Sequence, residues 1–123
     1  MKLRIKGNSL RLRLTRSEVQ RLVEHGSVEE TTAFADAVRF SYAVRLDASV
    51  HAVSAEYAAG RITVTVPEQE ARQWAASELV GVYGEVATAD GVLTCAVEKD
   101  FSCIDRDDPA DADAFPNPKR DGC

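Results

Sequence analysis

The chain predicts an α+β domain: a curved antiparallel sheet or partly open barrel of about seven to eight strands, with two helices and an extended C-terminal arm. Three observations predict it. Aliphatic and polar residues alternate with a period of two over most of the chain up to Val97. Two short stretches switch to the i, i+3, i+4 spacing of an amphipathic helix. After Asp100 the composition turns to proline and aspartate.

The first strand covers about 2–6, with Leu3 and Ile5 on one face and Lys2, Arg4 and Lys6 on the other. The second covers about 9–14, where Leu10, Leu12 and Leu14 oppose Arg11 and Arg13. Gly7 and Asn8 tolerate positive φ, so a tight turn joins the two into a hairpin. Thr15-Arg16-Ser17-Glu18 reads as a capping box, and Val19, Leu22 and Val23 form the apolar stripe of a helix that ends at Gly26. His25 in its last turn suits the helix dipole.

Strand-like runs follow. Val28 to Phe34 is the weakest, and Asp36 breaks it. Val38 to Leu46 alternates strongly, and Asp47-Ala48-Ser49 turns the chain. His51, Val53, Ala55 and Tyr57 alternate next, followed by the Ala59-Gly60 turn and the β-branched run Ile62, Val64, Val66. Pro67 is expected as the first residue of a second helix, since its missing N–H would be unpaired there anyway. Ala71, Trp74 and Ala75 make that helix's buried stripe. Val80, Val82 and Val86, the turn Ala89-Asp90-Gly91, and Leu93, Cys95 and Val97 complete the strands. Short turns between neighbours imply antiparallel pairing. No internal repeat is evident in the residue identities.

At 123 residues the chain is expected to hold one domain, residues 1–101, with residues 102–123 as an acidic arm docked on it. Charge is unevenly placed. Residues 1–16 carry six cations and no acid, and residues 100–123 carry seven aspartates against three cations. The arm, anchored by Phe115-Pro116-Asn117-Pro118, is therefore expected to lie on the charged hairpin face. The net charge of −5 argues against nucleic acid as the partner of the whole protein. Three widely spaced cysteines, Cys95, Cys103 and Cys123, suit a reducing cytoplasm better than a disulfide framework. The positive first segment alternates and lacks the apolar run of a secretory signal, and no run approaches the ~20 residues of a membrane span.

No catalytic or cofactor motif is present, so no cofactor is expected. The cysteines, His25 and His51 lack the paired short spacing of a zinc site. Asp105 to Asp113 lacks the glycine and terminal glutamate of a calcium loop. The strongest candidate site is the basic hairpin face, Lys2, Arg4, Lys6, Arg11 and Arg13, with Glu98 beside it. Alternating cations on adjacent strands suit phosphate or another anion. The structural alternative is a solvated face, or one matched by acidic neighbours, because like charges opposite each other on paired strands repel. The leading expectation is a non-enzymatic binding or interaction domain for an anionic small molecule or an acidic protein. The alternative is a hydrolase or transferase on a phosphate-containing substrate, using Arg4, Arg11 and Arg13 with Glu98, which requires a concavity where they converge. A second alternative is DNA binding.

That second alternative comes from a local likeness. Lys6-Gly7-Asn8-Ser9-Leu10-Arg11-Leu12-Arg13-Leu14 resembles the Gly-Asn-Ser and arginine-bearing strand of the swapped-hairpin antitoxin and transition-regulator family, which implies DNA contact by a dimer. The strands, second helix and acidic tail that follow depart from that family. Small barrels that hydrolyse triphosphates alternate Glu and Lys along their strands; Lys2-Leu3-Arg4-Ile5-Lys6 lacks the paired glutamates. Over nearly its full length the chain is similar to a small family of uncharacterised bacterial proteins, a domain of unknown function. The likeness is carried by Met1 to Thr15, Val66-Pro67 with Trp74, Val97 to Cys103, and Asp113-Ala114-Phe115-Pro116-Asn117-Pro118. It implies no activity.

Overall fold

The computed structural model describes residues 1–101 and 113–116, and four hairpins build these described residues. The elements run β1 (Lys2–Lys6), β2 (Ser9–Leu14), α1 (Arg16–His25), β3 (Ser27–Ala33), β4 (Arg39–Asp47), β5 (Ser54–Ala58), β6 (Arg61–Pro67), α2 (Glu68–Ala75), β7 (Gly81–Thr88) and β8 (Gly91–Lys99). The α+β class stands, with eight strands and two α-helices among the described residues. The single antiparallel sheet or barrel is corrected to two mixed four-stranded sheets, ordered β1-β2-β8-β7 and β3-β4-β6-β5, which do not close on each other. Each hairpin is antiparallel as its short turn requires, but the two central pairs, β2 with β8 and β4 with β6, are parallel. Turn lengths say nothing about those pairs, because their partners are distant in sequence.

The two sheets share one plan. The chain reads ββαββ twice, and each half gives one hairpin to each sheet. Leu12, Leu14, Val19 and Leu22 of the first half correspond to Val64, Val66, Ala71 and Trp74 of the second, residue numbers differing by 52 throughout, as in 12 and 64. All eight are buried. The repeat invisible in residue identities is thus plain in topology and burial, because sheet packing asks only for an apolar residue of suitable size at each position.

All four hairpin turns lie at one end. Within each sheet the parallel central strands both start there, and Leu10 and Leu93 of one sheet meet Phe40 and Ile62 of the other around an apolar cleft of about 340 Å³. The helices close the opposite end and touch each other. Thr15 and Glu18 form the expected capping box, and Gly26 ends α1 at φ 85°. Pro67 proves to be the last residue of β6 and the N-cap of α2, one position before its expected place. Trp74 is fully buried, and its indole N–H donates to the Val80 carbonyl at 3.0 Å. β5 starts at Ser54, later than the His51 expected, although Val53 just before it is in the core.

An ion cluster ties β1 to its surroundings. The Met1 α-ammonium donates to Glu18 Oε2 at 2.6 Å and Glu30 Oε1 at 2.9 Å, and the Tyr42 hydroxyl donates to Glu30 Oε2 at 2.9 Å. Burial works against the Met1 ammonium, but its two carboxylate partners prevail and hold its pKa above 8.0. Burial likewise opposes ionisation of Glu30, while the ammonium and Tyr42 hydrogen bonds pull its pKa below 4.5.

Most of the expected arm, residues 102–112 and 117–123, lies outside the described residues. The described part, residues 113–116, has its contacts at the end of β8 and the start of α1. Phe115 bridges to Phe101 with rings 5.9 Å apart and sits under the Lys99 ammonium, 5.4 Å from the ring centroid. Asp113 accepts hydrogen bonds from the Ser17 backbone N–H and hydroxyl at the start of α1. That helix end offers unpaired amides and a positive dipole. The docking expected on the hairpin is, at these residues, docking on the α1 N-terminus.

Candidate functional site

Period-two alternation sends Lys2, Arg4, Lys6, Arg11 and Arg13 to the outer face of the β1-β2-β8-β7 sheet. Strand register then sorts that face into three rows, each running across β1, β2, β8 and β7 in turn. The first is Lys2, Arg13, Glu98, Gly81; the second Arg4, Arg11, Ala96, Tyr83; the third Lys6, Ser9, Thr94, Glu85. The middle of the second and third rows holds small side chains, Ser9, Thr94 and Ala96, between long ones. The result is a trough of about 580 Å³ whose walls include Arg4, Lys6 and Arg11 on one side and Tyr83 and Glu85 on the other.

Four of the six residues singled out from the sequence meet in this trough: Arg4, Lys6, Arg11 and Glu98. Lys2 and Arg13 do not line it. Lys2 pairs with Asp100 at 3.1 Å, and Arg13 reaches Glu98 Oε1 at 3.6 Å. Glu98 also takes the Arg11 Nε at 3.3 Å and accepts the Tyr83 hydroxyl at 2.8 Å. Burial and this bond to an anion push the Tyr83 phenol up to about 12. The negative charge that the hairpin requires therefore comes from Glu98 of the neighbouring strand β8 and from Asp100 just after it. Arg4 and Lys6 have no ion pair among the described residues.

Gly81 makes the Glu98 arrangement possible. It stands opposite Glu98, and a Cβ there would lie 2.8 Å from Glu98 Cγ, 2.9 Å from the Tyr83 hydroxyl and 2.7 Å from the Val97 carbonyl oxygen. Without a side chain at this position, Tyr83 can lie across β7 and hold the carboxylate.

Tyr83, Glu85, Gly81, Ser9, Thr94 and Ala96 were not legible as site residues. Tyr83 and Glu85 do alternate out of phase with Val82 and Val86, so their outward face was readable. Their place beside Arg4 and Arg11 was not, because it depends on the parallel pairing of β2 with β8.

Cys95 lies in the core beneath the trough, and burial alone pushes its thiol pKa up, away from nucleophilic character. Cys103 and Cys123 fall outside the described residues. Among the described residues no group of three or more His, Cys, Asp or Glu side chains is placed to hold a metal ion. No helix of the described residues is long and apolar enough to cross a membrane.

No curated protein and no solved structure matches the chain. Residues 1–119 match the family of unknown function DUF7009. The match spans nearly the whole chain, the hairpin and the trough included, and the protein therefore belongs to that family.

Proposed function

We propose that the protein is a small binding domain that holds an anionic small molecule in the trough on the outer face of the β1-β2-β8-β7 sheet. The observation that carries this reading is the row Arg4, Arg11, Ala96, Tyr83. It sets two guanidinium groups directly opposite each other on paired strands, above a floor of small residues. Like charges in that position repel and lower stability. Glu98 relieves Arg11 and Arg13, but Arg4 and Lys6 keep their charge inside a concavity without a carboxylate of their own among the described residues. A bound anion would supply the missing charge, and guanidinium groups suit phosphate and carboxylate oxygens. The trough volume lies within the usual ~300–1,000 Å³ of small-molecule sites.

The test is calorimetric titration with inorganic pyrophosphate at low salt. Wild type is expected to bind at one site. Arg4→Gln is expected to lose at least about tenfold in affinity while gaining roughly 0.2–1 kcal/mol of stability, because the cross-strand repulsion is gone. Unchanged affinity in Arg4→Gln would end this reading.

A phosphate-directed enzyme is the second reading, favoured by the concavity itself, since the cations converge with carboxylates instead of forming a flat platform. In that reading Glu98 is a positioning group, fully engaged by Arg11, Arg13 and Tyr83, and Glu85 is the carboxylate available as a base. Release of phosphate from pyrophosphate or p-nitrophenyl phosphate, abolished in Glu85→Gln, would establish it. The DNA reading gains no support from this geometry, because the cationic face also carries the carboxylates of Glu98 and Glu85.

A further inference from the structure

The trough is bipolar. Its β1–β2 side presents Arg4, Lys6 and Arg11, and its β7 side presents Glu85. The third row runs from Lys6 through Ser9 and Thr94 to Glu85, positive at one end and negative at the other. Among the described residues the cations at one end make no ion pair with Glu85 at the other. Adjacent strands lie about 4.8 Å apart, so Lys6 on β1 and Glu85 on β7, three spacings apart, stand about 14 Å apart, and Arg11 on β2 stands about 10 Å from β7. Glu85 has no ion pair among the described residues, unlike Glu98, whose three partners consume it. Between the two ends the lining is neutral: Ser9, Thr94, Ala96 and Tyr83.

Resting on the anion reading above, we propose that the ligand is a small molecule with an anionic group at one end and a protonated nitrogen about 10 Å away at the other. The anion sits over Arg4, Lys6 and Arg11. The ammonium sits at Glu85. A short apolar linker crosses Ala96. Glu85 is then the specificity-determining residue. Its charge repels a simple dianion and favours a ligand that carries its own cation.

The experiment uses the full chain and three probes: 6-aminohexyl phosphate, whose amine and phosphate are about 10 Å apart when extended, hexyl phosphate of similar length, and pyrophosphate. Wild type is expected to prefer the amino compound over hexyl phosphate by about fivefold, the scale of one solvent-accessible ion pair. Glu85→Gln is expected to bring the two hexyl compounds to equal affinity and to tighten pyrophosphate slightly. Arg4→Gln is expected to weaken all three. Equal affinity of the two hexyl compounds in wild type, or an amine preference that persists in Glu85→Gln, overturns the bipolar assignment while leaving the anion site intact if pyrophosphate still depends on Arg4. Failure of all three probes to bind overturns both.

Discussion

The outer faces of the two sheets occupy equivalent positions in one repeated plan, yet their charges are opposed. Where the β1-β2-β8-β7 sheet has Arg4, Arg11, Ala96 and Tyr83 in its middle row, the β3-β4-β6-β5 sheet has Glu56, Thr63, Ala43 and Glu29. The central alanine stays and the cations are replaced. In the flanking row Lys6, Ser9, Thr94 and Glu85 correspond to Ala58, Arg61, Ser41 and Thr31. There Arg61 reaches diagonally to Glu29 and neutralises it. One scaffold thus carries a face whose charge is partly matched internally and a face with two opposed guanidinium groups over a trough. A merely solvated sheet would have no reason to differ in this way, since exposed ion pairs contribute little either way. The opposed guanidinium groups of Arg4 and Arg11 are thus a property of this face and not of the scaffold, which is what the proposed anion site requires.

The largest expected effect breaks the scaffold that makes the comparison meaningful. Trp74→Ala and Leu22→Ala occupy corresponding sites in the two halves, both fully buried. Each is expected to cost about 3–5 kcal/mol in urea unfolding, Trp74 the more because its indole N–H also satisfies the Val80 carbonyl. If one half unfolded at lower urea than the other, the two faces would not belong to a single cooperative body.

Gly81→Ala comes next. A methyl group there meets a carbonyl oxygen, Glu98 and Tyr83 at less than 3.0 Å. Overpacking of this kind costs about 1–3 kcal/mol. It should also release Tyr83 from Glu98, seen as a fall of the phenol's spectrophotometric titration from about 12 toward its ordinary 10.0. Ser27 holds the corresponding place on the other sheet, and Ser27→Ala is expected to change stability by less than about 0.5 kcal/mol.

A charge exchange separates the faces functionally. Arg4→Glu is expected to abolish pyrophosphate binding, and Glu56→Gln, its counterpart on the other sheet, to leave it within about twofold, because exposed charges on the far face are screened. Binding reduced equally by both would mean that net charge, not the trough, attracts the anion.

The smallest effect is in pH. The Met1 ammonium has its pKa raised on folding, so its contribution is fully present below pH 8.0 and is lost as pH rises through the folded value. Glu30 has its pKa lowered, so its contribution is present above pH 4.5 and lost as pH falls through the folded value. Thermal stability should therefore be flat between these limits and decline on both sides. Glu30→Gln should flatten the acid limb and shallow the alkaline one. An alkaline limb unaltered in both Glu18→Gln and Glu30→Gln would show that the ammonium contacts do not contribute.

Much of this was legible before the structure. The alternation of Lys2 to Leu14, the capping box at Thr15 and the β-branched run at Ile62 to Val66 each specify a local element, and local elements follow from backbone propensity and periodicity. The trough was half legible. Its cations announce themselves as an alternating run, whereas Tyr83, Glu85 and Gly81 join them only through the parallel contact of β2 with β8, a pairing between residues some eighty positions apart that no local pattern encodes. Of the acidic stretch, Asp100 pairs with Lys2 of the hairpin and Asp113 answers the unpaired amides of α1, a directional demand that bulk charge matching does not reveal.

The central claim is that the anion sits in the trough of one sheet and nowhere on the other. Amide chemical-shift mapping during a pyrophosphate titration tests it most directly. Saturating shifts are expected at Ser9, Arg11, Thr94 and Ala96, with Thr63, Ala43 and Ser41 unmoved. Shifts of similar size on both sheets, or none at Arg11 and Ala96 while binding is seen by calorimetry, would contradict it.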